Sequence, residues 1–423
     1  MIQNKFNILK GLTMVCILIA TFFLPLKTSL SNIGLIGLVV TTLLSFGLNG
    51  FRKNGKLGFF LLFSPMVFFL PLLWGWMYSP LKADAFHELS KYVFLGLTPL
   101  FLFRKDIEAG TFRKYASYGL LAGSFLSGLI LLVVNFYNFS QTSYPPHWLL
   151  NHTFTSFNFL EPLSGMHPIY MGMYFALALS ILFFTPIKLP KILKVFAFII
   201  FSLSIVFLAS RIIYGVLVLL VLLYLIHNLS FKTFAVLLTG VLVLGVLGFS
   251  TLQKTYLYQK TVNGTLWELQ ENVGTYNTNQ SMRVDSRWSR WQVAVDLIKE
   301  KPILGYGGGT ENEVLLEEYQ RRDMKSSVEN EYNAHNQFLG FWLRFGVVGS
   351  LLMLVYFFRN AITAFRYQNL LFLSFLTILF WSLMVENVLD RNMGINFVAL
   401  FGTLFYAEFL AKESKDLADE TTS

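Results

Sequence analysis

Apolar runs long enough to cross a bilayer recur along almost the whole chain, separated mostly by short polar connections. They are filled continuously by Leu, Phe, Val and Ile, without the ten-residue alternation of a membrane β-barrel. Each run therefore predicts a helix, which satisfies its own backbone N–H and C=O groups in lipid. A hydrocarbon core about 30 Å thick needs about 20 residues at 1.5 Å rise each. The pattern predicts twelve spans, near residues 6–25, 31–48, 57–78, 86–103, 114–138, 166–185, 191–209, 212–228, 233–250, 335–358, 368–386 and 394–411. One polar segment, 251–334, is too long to be a simple connection, and a shorter one covers about 139–165. The expected fold class is an all-α polytopic membrane protein with about twelve transmembrane helices and one large loop.

Composition agrees with lipid as the main solvent. Hydrophobic residues make up 55% of the 423 positions and charged residues 13%, about half the charged share of a soluble domain. The sole cysteine, Cys16, lies inside the first run, so no intrachain disulfide is possible and a packing role is expected. The first run follows Lys5 and Lys10, but no small-x-small cleavage site precedes the next polar stretch, so it reads as an uncleaved span.

The net charge of +9 is mostly a topology signal. With the N-terminus inside, seventeen Lys and Arg fall in the cytoplasmic connections and tails, and five fall in the opposite short connections and span ends. Basic residues stay cytoplasmic in excess, so both termini are expected in the cytoplasm. Segment 251–334 is then expected outside, on the periplasmic face of a bacterial inner membrane. That segment mixes 10 basic with 12 acidic residues, so its character lies in local motifs. No basic-aromatic nucleic-acid module is visible. No internal repeat marks an inverted-repeat transporter.

The motif with most chemical content is His335-Asn336, followed after nine intervening residues by Gly346-Val347-Val348-Gly349. The histidine opens the tenth span at a helix N-terminus, where the positive end of the dipole favours a neutral imidazole. Such a residue suits general-base work, although a histidine in this position is more often a hydrogen-bonded helix cap than a catalyst. Gly346 and Gly349, three apart, leave room for a neighbouring helix to approach. Arg344 lies nine residues beyond His335, a spacing that turns it to the opposite helix face and places it outside the expected site. Glu88 and Lys91 are candidates for lining a donor cavity or for a local ion pair. Glu386, Asp390 and Arg391 border the last outer connection. The glycine run Gly305 to Gly309 reads as a tight turn or an anion nest, and without a following Lys-Ser or Lys-Thr it is no nucleotide P-loop. His147, His152 and His167 lack compact metal-ligand spacing, so no metal and no cofactor are expected.

The His335-Asn336 segment resembles the histidine motif of the O-antigen ligase superfamily, membrane enzymes that move glycans from a polyprenyl-pyrophosphate carrier. Arg287-Trp288-Ser289-Arg290-Trp291, then Ala294, then Pro302 to Gly309 resembles that family's arginine-tryptophan and Pro-x-x-Gly-x-Gly run, and Ser210-Arg211 resembles its paired-helix arginine site. These motifs cover about residues 205–350. The resemblance implies three divisions: N-terminal transmembrane helices in 1–204, the ligase-related region with its loop in 205–358, and C-terminal helices with a cytoplasmic tail in 359–423. It also implies a C-type glycosyltransferase-like fold and a metal-independent enzyme. The expected partners are a polyprenyl-pyrophosphate-linked glycan donor, a lipid A-core or other glycan acceptor, and membrane lipid. His335 would be the catalytic base. Arg211 and Arg287 would bind the diphosphate, with Arg283 and Arg290 able to exchange roles with Arg287 and with Asn336 as a further substrate-binding residue. These residues are expected to converge on one hollow. Alternatives with the same motifs are a polysaccharide polymerase and a protein O-oligosaccharyltransferase; a glycan-lipid transporter is the alternative from another class.

Overall fold

The computed structural model describes residues 2–51, 61, 63–106, 109–228, 230, 233, 256–273 and 285–410. Helices account for nearly all regular structure among these residues; they form no strand, and a single bridge joins Phe51 to Arg104. Among the described residues six helices are long and apolar enough to cross a membrane: Thr28–Leu48, Gly110–Ser140, Lys191–Leu208, Arg211–Asn228, Gln337–Arg366 and Asn392–Leu410. Five shorter apolar helices, Asn7–Phe23, Pro65–Tyr78, Val93–Phe103, Pro168–Phe184 and Leu370–Leu383, fall where further spans are expected. The predicted span at 233–250 lies almost wholly outside the described residues, as does part of 57–78.

The predicted span at 86–103 is not one continuous α-helix. A polar helix, Lys82–Lys91, gives way at Tyr92 to an apolar turn of helix, Val93–Leu97, and then to a 3-10 stretch, Thr98–Phe103. Pro99 contributes to the change, because it brings no N–H to the helical ladder.

The chain divides into two compact units. The first contains 1–124, 291–318 and 331–423; the second contains 125–290 and 319–330. In the first, Ile2–Phe23 and Thr28–Asn49 pack through small residues. A Cβ on Gly34 would lie 2.3 Å from the Ala20 nitrogen, and one on Gly37 would lie 2.5 Å from the Cys16 sulfur. Cys16 is buried in that contact. Lipid gives apolar helices little reason to associate, so close backbone approach and polar links matter. Ser31 supplies one such link by donating to the Ala20 carbonyl at 2.7 Å. In the second unit Pro168–Phe184 is buried from end to end apart from its last residues, with Gly172 against Ile213 and Gly128 against Ile200.

The helix Gln337–Arg366 is broken at Gly346, where φ is 64° and ψ −164°. The break frees carbonyls that the next turn would have bonded, and the glycine-rich loop takes them over. Tyr306 N–H donates to the Leu343 carbonyl and Gly307 N–H to that of Arg344, both at 2.8 Å. In return the Pro302 carbonyl accepts from Val347 N–H at 2.9 Å and from the Trp342 indole at 3.1 Å. Gly346 therefore receives a loop where a neighbouring helix was expected. The loop itself is the tight turn, with φ of 69°, 105° and 75° at Gly305, Gly307 and Gly309. A Cβ on Gly346 would lie 1.9 Å from the Ile303 carbonyl oxygen, in a backbone region almost reserved for glycine. Gly346→Ala is expected to cost more than about 2 kcal/mol, read as a drop in melting temperature of the detergent-solubilised protein; an unchanged transition would contradict the role given to this break.

Candidate functional site

The second unit gathers three of the expected arginines. Arg211 is the first residue of the helix Arg211–Asn228, just after Ala209 ends the preceding helix in the left-handed conformation. Arg287 and Arg290 lie one turn apart at the start of the helix Arg287–Glu300. Ser286 holds that start: its hydroxyl accepts from Ser289 N–H at 3.2 Å and donates to the Gln270 carbonyl at 2.6 Å. All three guanidinium groups face one carboxylate, Glu268. Arg211 approaches it to 3.3 Å, Arg290 to 3.7 Å and Arg287 to 4.0 Å, and the Arg287 backbone N–H donates to it at 2.8 Å. Arg283 lies outside the described residues.

Three guanidinium groups thus share the Glu268 carboxylate. Burial works against the Glu268 carboxylate, but Arg287, Arg290 and Arg211 outweigh it and hold its pKa below the usual range. Burial, and next the charge of Arg211, push Lys260 down to about 8. A Cβ on Gly264 would come within 3.2 Å of the Arg211 guanidinium, so a larger residue there would crowd it. The buried Nε of Arg287 has no hydrogen-bond partner among the described residues. Clustered guanidinium groups of this kind are suited to binding phosphate oxygens.

His335 belongs to the first unit. It precedes the helix Gln337–Arg366, with Asn336 as N-cap between them, and its backbone is left-handed, φ 48°. The Asn336 side-chain oxygen accepts from the N–H groups of Phe338 and Leu339, at 3.0 and 3.2 Å, so this oxygen is engaged in capping. The His335 Nδ1 lies 2.6 Å from the Asn333 side-chain oxygen, which also accepts from His335 N–H at 3.0 Å. An amide oxygen can only accept, so this contact requires the proton on Nδ1 and leaves the lone pair on Nε2. Asn333 is a partner that the sequence reading missed, although it lies two residues from the histidine.

Behind this loop lies a buried charge cluster centred on Arg344, a residue the helix-face argument had set aside. Its guanidinium pairs with Glu88, with Glu311 at 3.2 Å and with Asp390 at 3.4 Å. Asn387 ties the cluster together by donating to Glu311 at 2.8 Å and to Asp390 at 2.9 Å, and its own oxygen accepts from Asn336 N–H at 2.9 Å. Glu311 also accepts from Ala334 N–H at 3.2 Å. The residues on both sides of His335 are thus pinned to this network. Gly309 N–H donates to Glu88 at 2.6 Å, so one N–H of the glycine run is occupied by a carboxylate of the protein itself. A cavity of about 540 Å³ opens beside the cluster, and its lining includes Glu88, Lys91, Asn333, Arg344, Asp390 and Arg391. Arg344 therefore belongs to the same cavity as the residue that holds His335. Among the described residues no group of three or more His, Cys, Asp or Glu is placed to hold a metal ion.

Burial raises the Glu311 pKa, to about 7, with Arg344 opposing the shift. Burial also works against the Asp390 charge, but Arg344, Asn387, Tyr92 and Gln337 hold that carboxyl below its usual range. A raised carboxyl pKa stabilises the fold below the unfolded value and loses that contribution as pH rises through the folded value. Glu311 thus removes stability between about 4.5 and about 7, whereas Asp390 adds stability that is lost as pH falls below the ordinary aspartate range. Glu311→Gln is expected to flatten the pH dependence of melting temperature across the upper window; a curve parallel to wild type would refute the assignment.

Residues 196–354 match the family model described as O-antigen ligase. The similarity to the O-antigen ligase superfamily lies in this segment, which is less than half of the chain. The matched segment holds Arg211, Arg287, Arg290, His335 and Arg344, whereas Glu88 and Asp390 lie outside it. An uncharacterized protein of Haemophilus influenzae is 24% identical over 147 residues, which are 33% of this chain and 36% of that relative. The chain therefore matches about a third of the curated relative's length.

Proposed function

We propose that the chain is a membrane glycosyltransferase that moves a saccharide from undecaprenyl pyrophosphate to an acceptor hydroxyl, with lipid A-core as the acceptor. The reaction takes place at the periplasmic face of the bacterial inner membrane, with both termini in the cytoplasm. The observation that carries the reading is the gathering of Arg211, Arg287 and Arg290, from two separate helices, on the single carboxylate of Glu268. Arg211, Arg287 and Arg290 bind the diphosphate and stabilise the charge that grows on it as it departs, without a metal. His335 Nε2 takes the acceptor hydroxyl proton. The acceptor oxygen then bonds to the anomeric carbon while the bond from that carbon to the diphosphate breaks, inverting the linkage and releasing polyprenyl diphosphate.

Donor handling and proton removal are common to a ligase and to a polysaccharide polymerase, so the acceptor decides between them. A lipopolysaccharide gel of a deletion strain separates the two. Loss of all O-antigen from the core is the expected result. Retention of a single repeat on the core would reassign the chain to polymerisation, and an unchanged ladder would remove it from this route altogether.

A further inference from the structure

The cavity in the first unit has a charge pattern unsuited to a diphosphate. In its buried part Arg344 stands against Glu88, Glu311 and Asp390, one cation to three carboxylates. In its exposed part Asp84 and Glu313 balance Lys91 and Arg391. With all of these groups ionised the lining carries a surplus of two negative charges, and with Glu311 protonated it still carries a surplus of one. An anion moved out of water into such a lining would lose hydration without gaining a matching partner. A sugar meets the opposite situation, since its hydroxyls can donate to carboxylate and amide oxygens and accept from a guanidinium or amide N–H.

A second feature points to a ligand. Arg344 is 3% exposed and lines the cavity, and its Nη2 has no hydrogen-bond partner among the described residues. A buried guanidinium nitrogen left without an acceptor is costly, and a ligand oxygen would satisfy it. The cavity wall also contains Asn333, which orients the imidazole of His335. A saccharide seated here would thus lie beside the residue that holds the base.

We infer that this cavity is a saccharide subsite for the acceptor, selective for sugars without phosphate or carboxylate groups. The inference rests on the glycosyltransferase reading for the word acceptor; the ligand class rests on the cavity alone. It assigns Glu88 and Lys91 to the acceptor side, where the sequence had suggested the donor.

Saturation-transfer NMR on the full chain in lipid nanodiscs tests the inference, with methyl N-acetylglucosaminide as the sugar probe and inorganic pyrophosphate as competitor. Asn312 and Glu313 are exposed lining residues, so Asn312→Trp and Glu313→Lys alter the mouth without disturbing the buried network. The sugar signal is expected in wild type, to survive millimolar pyrophosphate, and to weaken about tenfold in Asn312→Trp. Displacement of the sugar by pyrophosphate overturns the inference, as does an equal signal in Asn312→Trp and Glu313→Lys. Transfer from a lipid-linked donor is measured on the same preparation. Sugar binding without transfer defeats the glycosyltransferase reading and leaves the ligand class standing, whereas transfer without sugar binding in the cavity defeats the inference alone.

Discussion

Purified His335→Ala is expected to transfer glycan about 10²- to 10⁴-fold more slowly than wild type while still binding the lipid-linked donor. The range follows from the role of a positioned base, because the acceptor hydroxyl would have to lose its proton to water. The structure makes the prediction specific to one nitrogen. The Asn333 side-chain oxygen accepts from Nδ1–H, so the lone pair resides on Nε2. Asn333→Ala would release the ring and its tautomer together, so a smaller loss in the same direction is expected, with the donor Kd unchanged. A full rate in His335→Ala would remove proton transfer by this residue from the scheme.

The second large effect concerns stability. Arg344→Met leaves Glu88, Glu311 and Asp390 without the cation that all three share, inside a region where each carboxylate is at least largely buried. Removing one partner of a buried ion pair typically costs about 3–5 kcal/mol, because the remaining charge is uncompensated. Little folded, monodisperse protein is therefore expected from Arg344→Met by size-exclusion chromatography after mild heating. Arg344→Lys keeps the charge but loses the planar fork that reaches three acceptors, so an intermediate outcome is expected. Adding Glu88→Gln to Arg344→Met removes one orphaned charge and should recover part of the loss. Wild-type melting in Arg344→Met would show that the cluster does not hold the fold.

The helices were legible in the chain because continuous apolar runs leave no other structure in lipid, and the family motifs singled out Arg211, Arg287 and His335. Long-range contacts were not legible. The break at Gly346 depends on carbonyls and N–H groups supplied by Pro302, Tyr306 and Gly307, about forty residues upstream. Arg344 was set aside on helix periodicity, a rule that orders residues around one axis and says nothing of carboxylates arriving from positions 88, 311 and 390. Glu268 gave no local signal, since its ion-pair partners Arg211, Arg287 and Arg290 all lie well beyond one helical turn from it in sequence. Asn333, two residues before the histidine, could have been recognised as a candidate orienting group.

Polyprenyl diphosphate is the leaving group of the proposed reaction, and its release can be measured directly. Purified wild-type protein, given a synthetic polyprenyl-pyrophosphate-linked saccharide and a glycan acceptor in detergent with a divalent-cation chelator, should form glycosylated acceptor and free polyprenyl diphosphate in equal amounts. Transfer that releases polyprenyl monophosphate, or no transfer until a nucleotide sugar or a divalent cation is added, would contradict the proposal.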